Sequence, residues 1–280
     1  MEKVSLILGF FDGVHKGHRD VIKSAFCAEK TVLITFKDSP AGFFGKNVEY
    51  IFPREKNYEI IKSLGVNEIV EQDFSKIADV SAEDYLENYL IKKYSPSFIA
   101  TGFNHTFGKG RLGNSDFLAK NQDKYGYKYF CSPACRIGDD IVSSTHIREL
   151  LIKGDIESAN KYLDSNFSIK STVIEGEKLG RKLGFPTANM NYPKNIVRLP
   201  YGVYGVKIFG MPAVLNWGVK PTVGSMNEVL EVHIPDFNKD LYGLSVELEF
   251  VRKIRDEKKF ENLDELKYQI QKDVEECLKL

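Results

Sequence analysis

Apolar positions in the first half of the chain come in short runs, set apart by stretches of helical periodicity. Val4–Phe10, Thr31–Phe36, Glu68–Val70, Ser97–Thr101 and Lys128–Cys131 are brief and rich in β-branched and aromatic residues, which predicts buried strands. Between them, Arg19–Glu29, Arg54–Leu64, Ser81–Tyr94 and Asp116–Tyr125 carry helical patterns. Strand and helix alternate, so the pattern predicts an α/β unit with a parallel sheet and crossover helices. Ligands of such sheets bind beyond the carboxyl ends of the strands.

The grammar changes near Leu163. Phe167–Glu175, Gly202–Phe209, Ala213–Trp217, Val229–Ile234 and Ser245–Val251 read as strands parted by Gly, Pro and Asn-rich turns, which predicts an antiparallel β-barrel or sandwich. A terminal helix is expected after Asn262, its N-cap, with Leu263, Leu266, Ile270, Val274 and Leu278 along one face. A helical stretch over Ile147–Leu163 joins the halves. Two domains are expected, 1–163 and 164–280.

Composition narrows the classes. The 280 residues carry 39 basic and 39 acidic side chains, so no global field gathers polyanions and a general nucleic-acid binder is disfavoured. No run approaches the ~20 apolar residues of a membrane helix, and the amino terminus is too short an apolar run for a signal peptide. Cys131 and Cys135 lack a second Cys/His pair at metal spacing, so the four cysteines read as reduced thiols of a cytoplasmic protein.

The densest chemical signal is Gly9-Phe10-Phe11-Asp12-Gly13-Val14-His15-Lys16-Gly17-His18. It sits between a strand and a helix, where first-turn amides and the helix dipole favour an anion. Gly13 and Gly17 allow close approach of a phosphate, and His15 and His18 can both donate to its oxygens. One histidine in a turn is ordinary; two at this spacing point to a nucleotide site. Farther on, Ser143-Ser144-Thr145-His146-Ile147-Arg148 offers a cap in Ser144 or Thr145 and a planar cationic fork in Arg148.

Together these motifs resemble the HxGH nucleotidyltransferases, with wording nearest the FMN adenylyltransferase module of bacterial bifunctional FAD synthetases. The resemblance implies a Rossmann-like domain that binds ATP through Gly9, Phe11, Asp12, Gly13, His15, His18, Asn104, Ser144, Thr145 and Arg148. Of these, His15, His18 and Arg148 would stabilise charge during transfer. The stretch Gly102-Phe103-Asn104-His105-Thr106-Phe107-Gly108 resembles the family's Gly-X-(Asp/Asn)-Phe-X-Phe-Gly, which implies flavin contacts at Asn104 and Phe107. Position 105 departs from it, with His for the usual Phe. Phe36-Lys37-Asp38-Ser39-Pro40 likewise stands where Phe-X-Pro-X-Pro is expected.

The second half carries Gly176-Glu177-Lys178-Leu179-Gly180-Arg181-Lys182-Leu183-Gly184-Phe185-Pro186-Thr187-Ala188-Asn189. Glycines and cations here can cradle phosphates, with Gly176, Lys178, Gly180, Arg181, Gly184 and Pro186 as the candidates. Thr187 and Asn189 are hard oxygen donors of the kind Mg²⁺ accepts. The loop lacks the ending of a P-loop, and glycine loops alone are weak signals.

The wording resembles the Gly-X-Pro-Thr-Ala-Asn motif of riboflavin kinases, which implies an antiparallel barrel domain with a terminal helix. It further implies Glu231 as general base toward the ribityl hydroxyl, and Glu231, Arg252 and Arg255 beside the flavin. His233, on the same strand face as Glu231, orients it or fills the barrel. Trp217 and the tyrosines at 201, 204 and 242 are core or stacking residues. The joint resemblance implies riboflavin, FMN and FAD as substrates and products, ATP as co-substrate, Mg²⁺, and a monomer or weak homo-oligomer without nucleic-acid or membrane partners. A decayed module or a nucleotide-binding regulator without turnover are the alternatives; neither explains both motif sets standing intact.

Overall fold

The computed structural model describes residues 2–176, 180, 184–222, 225–237 and 239–280, with side chains at all of these except 220–222 and 225–227. The chain forms two compact units, Met1–His146 and Ile147–Leu280.

The first unit is built on five parallel strands: β1 (Val4–Leu8), β2 (Lys30–Phe36), β3 (Glu68–Gln72), β4 (Phe98–Gly102) and β5 (Lys128–Ser132). Their order is β3-β2-β1-β4-β5, so the connections reverse direction about β1. Register aligns Leu6 with Val32 and Ile99. Alternation then sends Leu6, Leu8, Val32 and Ile34 to one face, where they pack with Leu86, Leu90 and Leu118. Ile7, Leu33 and Ala100 go to the other, against Val21, Ile22 and Ile61. Both faces are covered, which is why the strands read as continuous apolar runs.

Helix α1 (Lys16–Ser24) starts before the expected Arg19 because His15 is its N-cap. It also stops short of Glu29. Helix α2 (Arg54–Ser63) and helix α3 (Ser115–Tyr125) lie close to expectation, the latter capped by Asn114. The expected helix at 81–94 forms over 82–94, with a π-helical centre at Tyr85–Ile91. A short hairpin, β6 (Arg136–Ile137) with β7 (Asp140–Ile141), went unread in the sequence.

The stretch expected as one helix at Ile147–Leu163 is two, α4 (Ser144–Lys153) and α5 (Ile156–Leu163). Gly154 breaks it at φ 81°, and Asp155 caps the second helix by accepting the Ser158 amide at 3.1 Å. A side chain at 154 would also crowd Pro200 and Lys253, at 3.0 and 3.1 Å.

Among the described residues the rest of the second unit is a closed antiparallel barrel in the order β10-β11-β12-β9-β8-β13. The strands are β8 (Phe167–Ile174), β9 (Thr187–Met190), β10 (Gly202–Ile208), β11 (Met211–Thr222), β12 (Ser225–His233) and β13 (Ser245–Arg255). Phe167, Met190, Tyr204, Leu215, Trp217, Leu230, Val232 and Phe250 are buried, and closure leaves no open sheet edge. Trp217 and Tyr204 are therefore core residues, while Tyr201 and Tyr242 are exposed.

Asn262 caps the terminal helix α6 (Leu263–Cys277) as expected, accepting the Glu265 amide at 2.9 Å. The buried face differs from the leucine stripe. Asp273, Val274 and Cys277 are buried, whereas Leu263 and Leu278 at the two ends face solvent.

Candidate active sites

Three loops of the first unit leave the carboxyl ends of neighbouring strands β1, β4 and β5, at the point where strand order reverses. The histidine motif follows β1. The His15 Nδ1 accepts the His18 amide at 3.3 Å, so in the neutral ring its proton sits on Nε2, the nitrogen able to donate onward. The two imidazoles stack with centroids 3.6 Å apart and planes 15° from parallel. Phe11 meets His18 edge-on at 5.1 Å. Burial first, and His15 second, hold the His18 imidazole well below its ordinary pKa, so it is neutral at physiological pH. Its Nδ1 is sealed from solvent without a hydrogen-bond partner. Desolvation of this kind strengthens the response of the pair to an anion.

The loop is held from a distance. Buried Asp12 accepts the Ile51 amide through both carboxylate oxygens, at 3.0 and 3.2 Å. Gly13, at φ 83°, donates its amide to the Asn57 Oδ1 at 2.9 Å, and the Asn57 Nδ2 donates to the Phe52 carbonyl at 3.4 Å. Gly9 is required by space: a Cβ there would lie 2.9 Å from the Phe11 ring. The Ser144 hydroxyl donates to the Asp12 carbonyl at 2.9 Å, which ties the second motif to the first. Thr145 is exposed beside it, and Arg148 follows Ser144 by one turn on the same helix.

After β4, Asn104 is exposed and Phe107 is buried against Tyr85 and Phe117, with ring centroids at 5.4 and 5.9 Å. Phe107 thus backs the loop from within the core. The His105 ring lies over it at 5.9 Å, and burial lowers the His105 pKa to about 4. In the altered segment after β2, buried Ser39 caps the short helix Pro40–Phe43. Phe43 and Phe44 are exposed there and contact Phe74 edge-on, at 5.3 and 5.9 Å.

In the second unit, the unexpected strand β9 carries the Thr-Ala-Asn residues. Its register with β12 sets Asn189 opposite Glu231 and Thr187 opposite His233. Alternation puts these four on one face of the wall, while Leu230, Val232 and Met190 point to the core. Directly paired residues have Cβ atoms about 5 Å apart, so a carboxylate and two hard oxygen donors converge on one patch. The His233 Nδ1 lies 2.9 Å from the Pro186 carbonyl, and its ring shares the Glu231 face of β12. Gly176 and Gly180 themselves lie close against residues of β9. A Cβ at 176 would overlap the Asn189 amide at 2.1 Å, and one at 180 the Phe185 carbonyl at 2.3 Å. Beside Thr187 opens a cavity of about 590 Å³, with Ala188, Val232, Ile234, Phe237 and Tyr242 in its wall.

Residues 1–146 match the family described as FAD synthetase, and residues 163–280 the family described as riboflavin kinase. A relative from Haemophilus influenzae, named bifunctional riboflavin kinase/FMN adenylyltransferase, is 35% identical over 98% of this chain and 93% of its own. One of the same name from Bacillus subtilis is 34% identical, over 99% and 92%. This chain belongs to the bifunctional riboflavin kinase/FMN adenylyltransferase family. A crystal structure described as a macrolide-efflux protein from Streptococcus pneumoniae matches with TM-score 0.89 at 29% identity, covering 99% of this chain and 94% of that one. Among the described residues no helix here is long and apolar enough to cross a membrane.

Two family-implied residues have structural partners that the sequence did not announce. Arg255 forms a double hydrogen-bonded ion pair with buried Asp273, at 2.7 and 3.0 Å, and Arg252 donates to the Glu276 carbonyl at 2.7 Å. Both tie β13 to α6. A buried carboxylate such as Asp273 needs a partner of this kind, because stripping one from a buried pair typically costs about 3–5 kcal/mol. Lys178 and Arg181 of the glycine loop lie outside the described residues. Asn57 was missed altogether, since a lone Asn in a helical stretch carries no signal for a loop 44 positions away.

Proposed function

We propose that residues 164–280 phosphorylate riboflavin to FMN and residues 1–163 join FMN to an adenylyl group, giving FAD. The observation that carries the kinase assignment is the β9–β12 register that places Glu231 opposite Asn189 and next to Thr187. Glu231 takes the proton of the ribityl 5′-hydroxyl as its oxygen attacks the γ-phosphorus of ATP, and ADP leaves. The glycine loop, with Gly176, Lys178, Gly180, Arg181 and Gly184, cradles the phosphates. The donor set fits Mg²⁺: Thr187 and Asn189 offer hard oxygens on the Glu231 face, where Gly176 and Gly180 leave no room for a side chain. Bound there, the ion would neutralise charge on the transferred phosphoryl group.

In residues 1–163, a phosphate oxygen of FMN attacks the α-phosphorus of ATP and pyrophosphate departs. No protein nucleophile is needed. Gly9, Phe11, Asp12 and Gly13 shape the loop; His15 and His18 donate to the phosphate oxygens; Ser144, Thr145 and Arg148 hold the far end of the triphosphate. Asn104 meets FMN from the β4 loop, with Phe107 behind it. The substrates are small molecules, and the chain is assigned to the cytoplasm.

The metal assignment has its own test. Asn189→Ala is expected to raise the Mg²⁺ concentration for half-maximal FMN formation by roughly tenfold or more. The Mg²⁺ dependence of FAD formation from added FMN stays where it was. An unchanged Mg²⁺ curve for FMN formation would remove Asn189 from the metal site.

A further inference from the structure

The β9–β12 ladder ends at Thr187, its first residue on β9, which pairs with His233 and is one of the two oxygen donors on the Glu231 face. The end of a two-stranded ladder is where pairing is weakest. The preceding residue is Pro186, which has no amide hydrogen and cannot extend the ladder as a donor. Its carbonyl is instead engaged by a side chain of the facing strand, the His233 imidazole at 2.9 Å.

We propose that His233 is a positioning residue for phosphoryl transfer, which fixes Thr187 and Asn189 against Glu231 by holding the Pro186 carbonyl. The proposal rests on the kinase reading above. A carbonyl oxygen only accepts, so the His233 Nδ1 is the donor and the neutral ring keeps its lone pair on Nε2. The same imidazole meets the Phe185 ring edge-on, with centroids 5.4 Å apart and planes at 86°. Phe185 in turn donates its amide to the Gly180 carbonyl at 2.8 Å, which closes the glycine loop. One side chain on the strand of the base thereby anchors the end of the glycine loop and the start of the strand that bears the oxygen donors. An error of about 1 Å in such groups costs on the order of 10²-fold in rate, which sets the scale of the effect.

Three variants of the full chain decide it. His233→Phe keeps the aromatic contact with Phe185 and removes the donor; kcat for FMN formation is expected to fall roughly 10- to 100-fold, with smaller changes in KM. His233→Asn carries an amide nitrogen near the Nδ1 position and restores most of the loss. His233→Gln, whose amide reaches toward the Nε2 position, does not. FAD formation from added FMN remains at the level of the unmodified chain in all three, which shows that each variant is folded and intact elsewhere. In ¹⁵N spectra of the unmodified, metal-free chain, the His233 signals show Nδ1 protonated and Nε2 bare. Full kcat in His233→Phe, rescue by Gln in place of Asn, or the opposite tautomer overturns the proposal. If the unmodified chain forms no FMN at all, the kinase reading fails, and the tautomer still decides the hydrogen bond.

Discussion

Glu231→Gln is expected to bring FMN formation from riboflavin down by roughly 10²- to 10⁴-fold, the span that general-base catalysis commonly supplies. The substitution keeps the size of the side chain and its place on β12, so the barrel wall and the facing Asn189 are undisturbed. What is lost is the group that accepts the hydroxyl proton. A neutral alcohol is a poor nucleophile, and the amide cannot take its proton. Riboflavin and ATP still bind, so the loss falls on kcat. Added FMN is converted to FAD at the original rate, because that chemistry is assigned to the other unit. Separation of flavins by chromatography reads both steps from one sample. Loss of both activities would contradict the division of labour.

His18→Ala gives the reverse pattern. FAD formation from FMN drops by roughly 10²- to 10³-fold, the scale for removing one donor aimed at developing charge. Formation of FMN is unchanged. The effect is large because the His18 ring is desolvated, stacked on His15 and braced by Phe11, so water cannot replace it cheaply. His15 keeps its place as the cap of α1, where its Nδ1 accepts the amide of residue 18 whatever side chain stands there. Undiminished FAD formation in this variant would mean that the histidine motif is not the adenylyl site.

Much of this arrangement was legible in the sequence because its signals are local. A strand, a Gly-Phe-Phe-Asp-Gly turn and a helix start can be read from adjacent residues, and the sheet order then places the β1, β4 and β5 loops side by side. The barrel strands were legible through their alternation and turns. Strand β9 was not, because its four residues follow Gly184 and Pro186 and read as more loop; only pairing with β12 makes Thr187–Met190 a strand. The break at Gly154 was overlooked within an apolar helical pattern.

What stayed hidden was contact between distant parts of the chain. The Asp12 carboxylate, in the loop that the resemblance assigns to ATP, accepts the Ile51 amide, and Gly13 leans on Asn57. Ser144 reads in the sequence as a cap and as part of the implied ATP site, and its hydroxyl reaches the Asp12 carbonyl, 132 positions away in sequence. Arg252 and Arg255, which the resemblance sets beside the flavin, also engage α6, a contact no local pattern shows. The residue types were readable; the partners are properties of the fold.

The central claim is that one chain carries out two consecutive ATP-dependent steps on flavin, at two sites. The most direct test is to incubate the purified full chain with riboflavin, ATP and Mg²⁺ and separate the flavins over time. FMN should appear first, and FAD should follow as FMN is consumed. Riboflavin left unchanged while added FMN still becomes FAD would contradict the claim, and would take the kinase role away from Glu231.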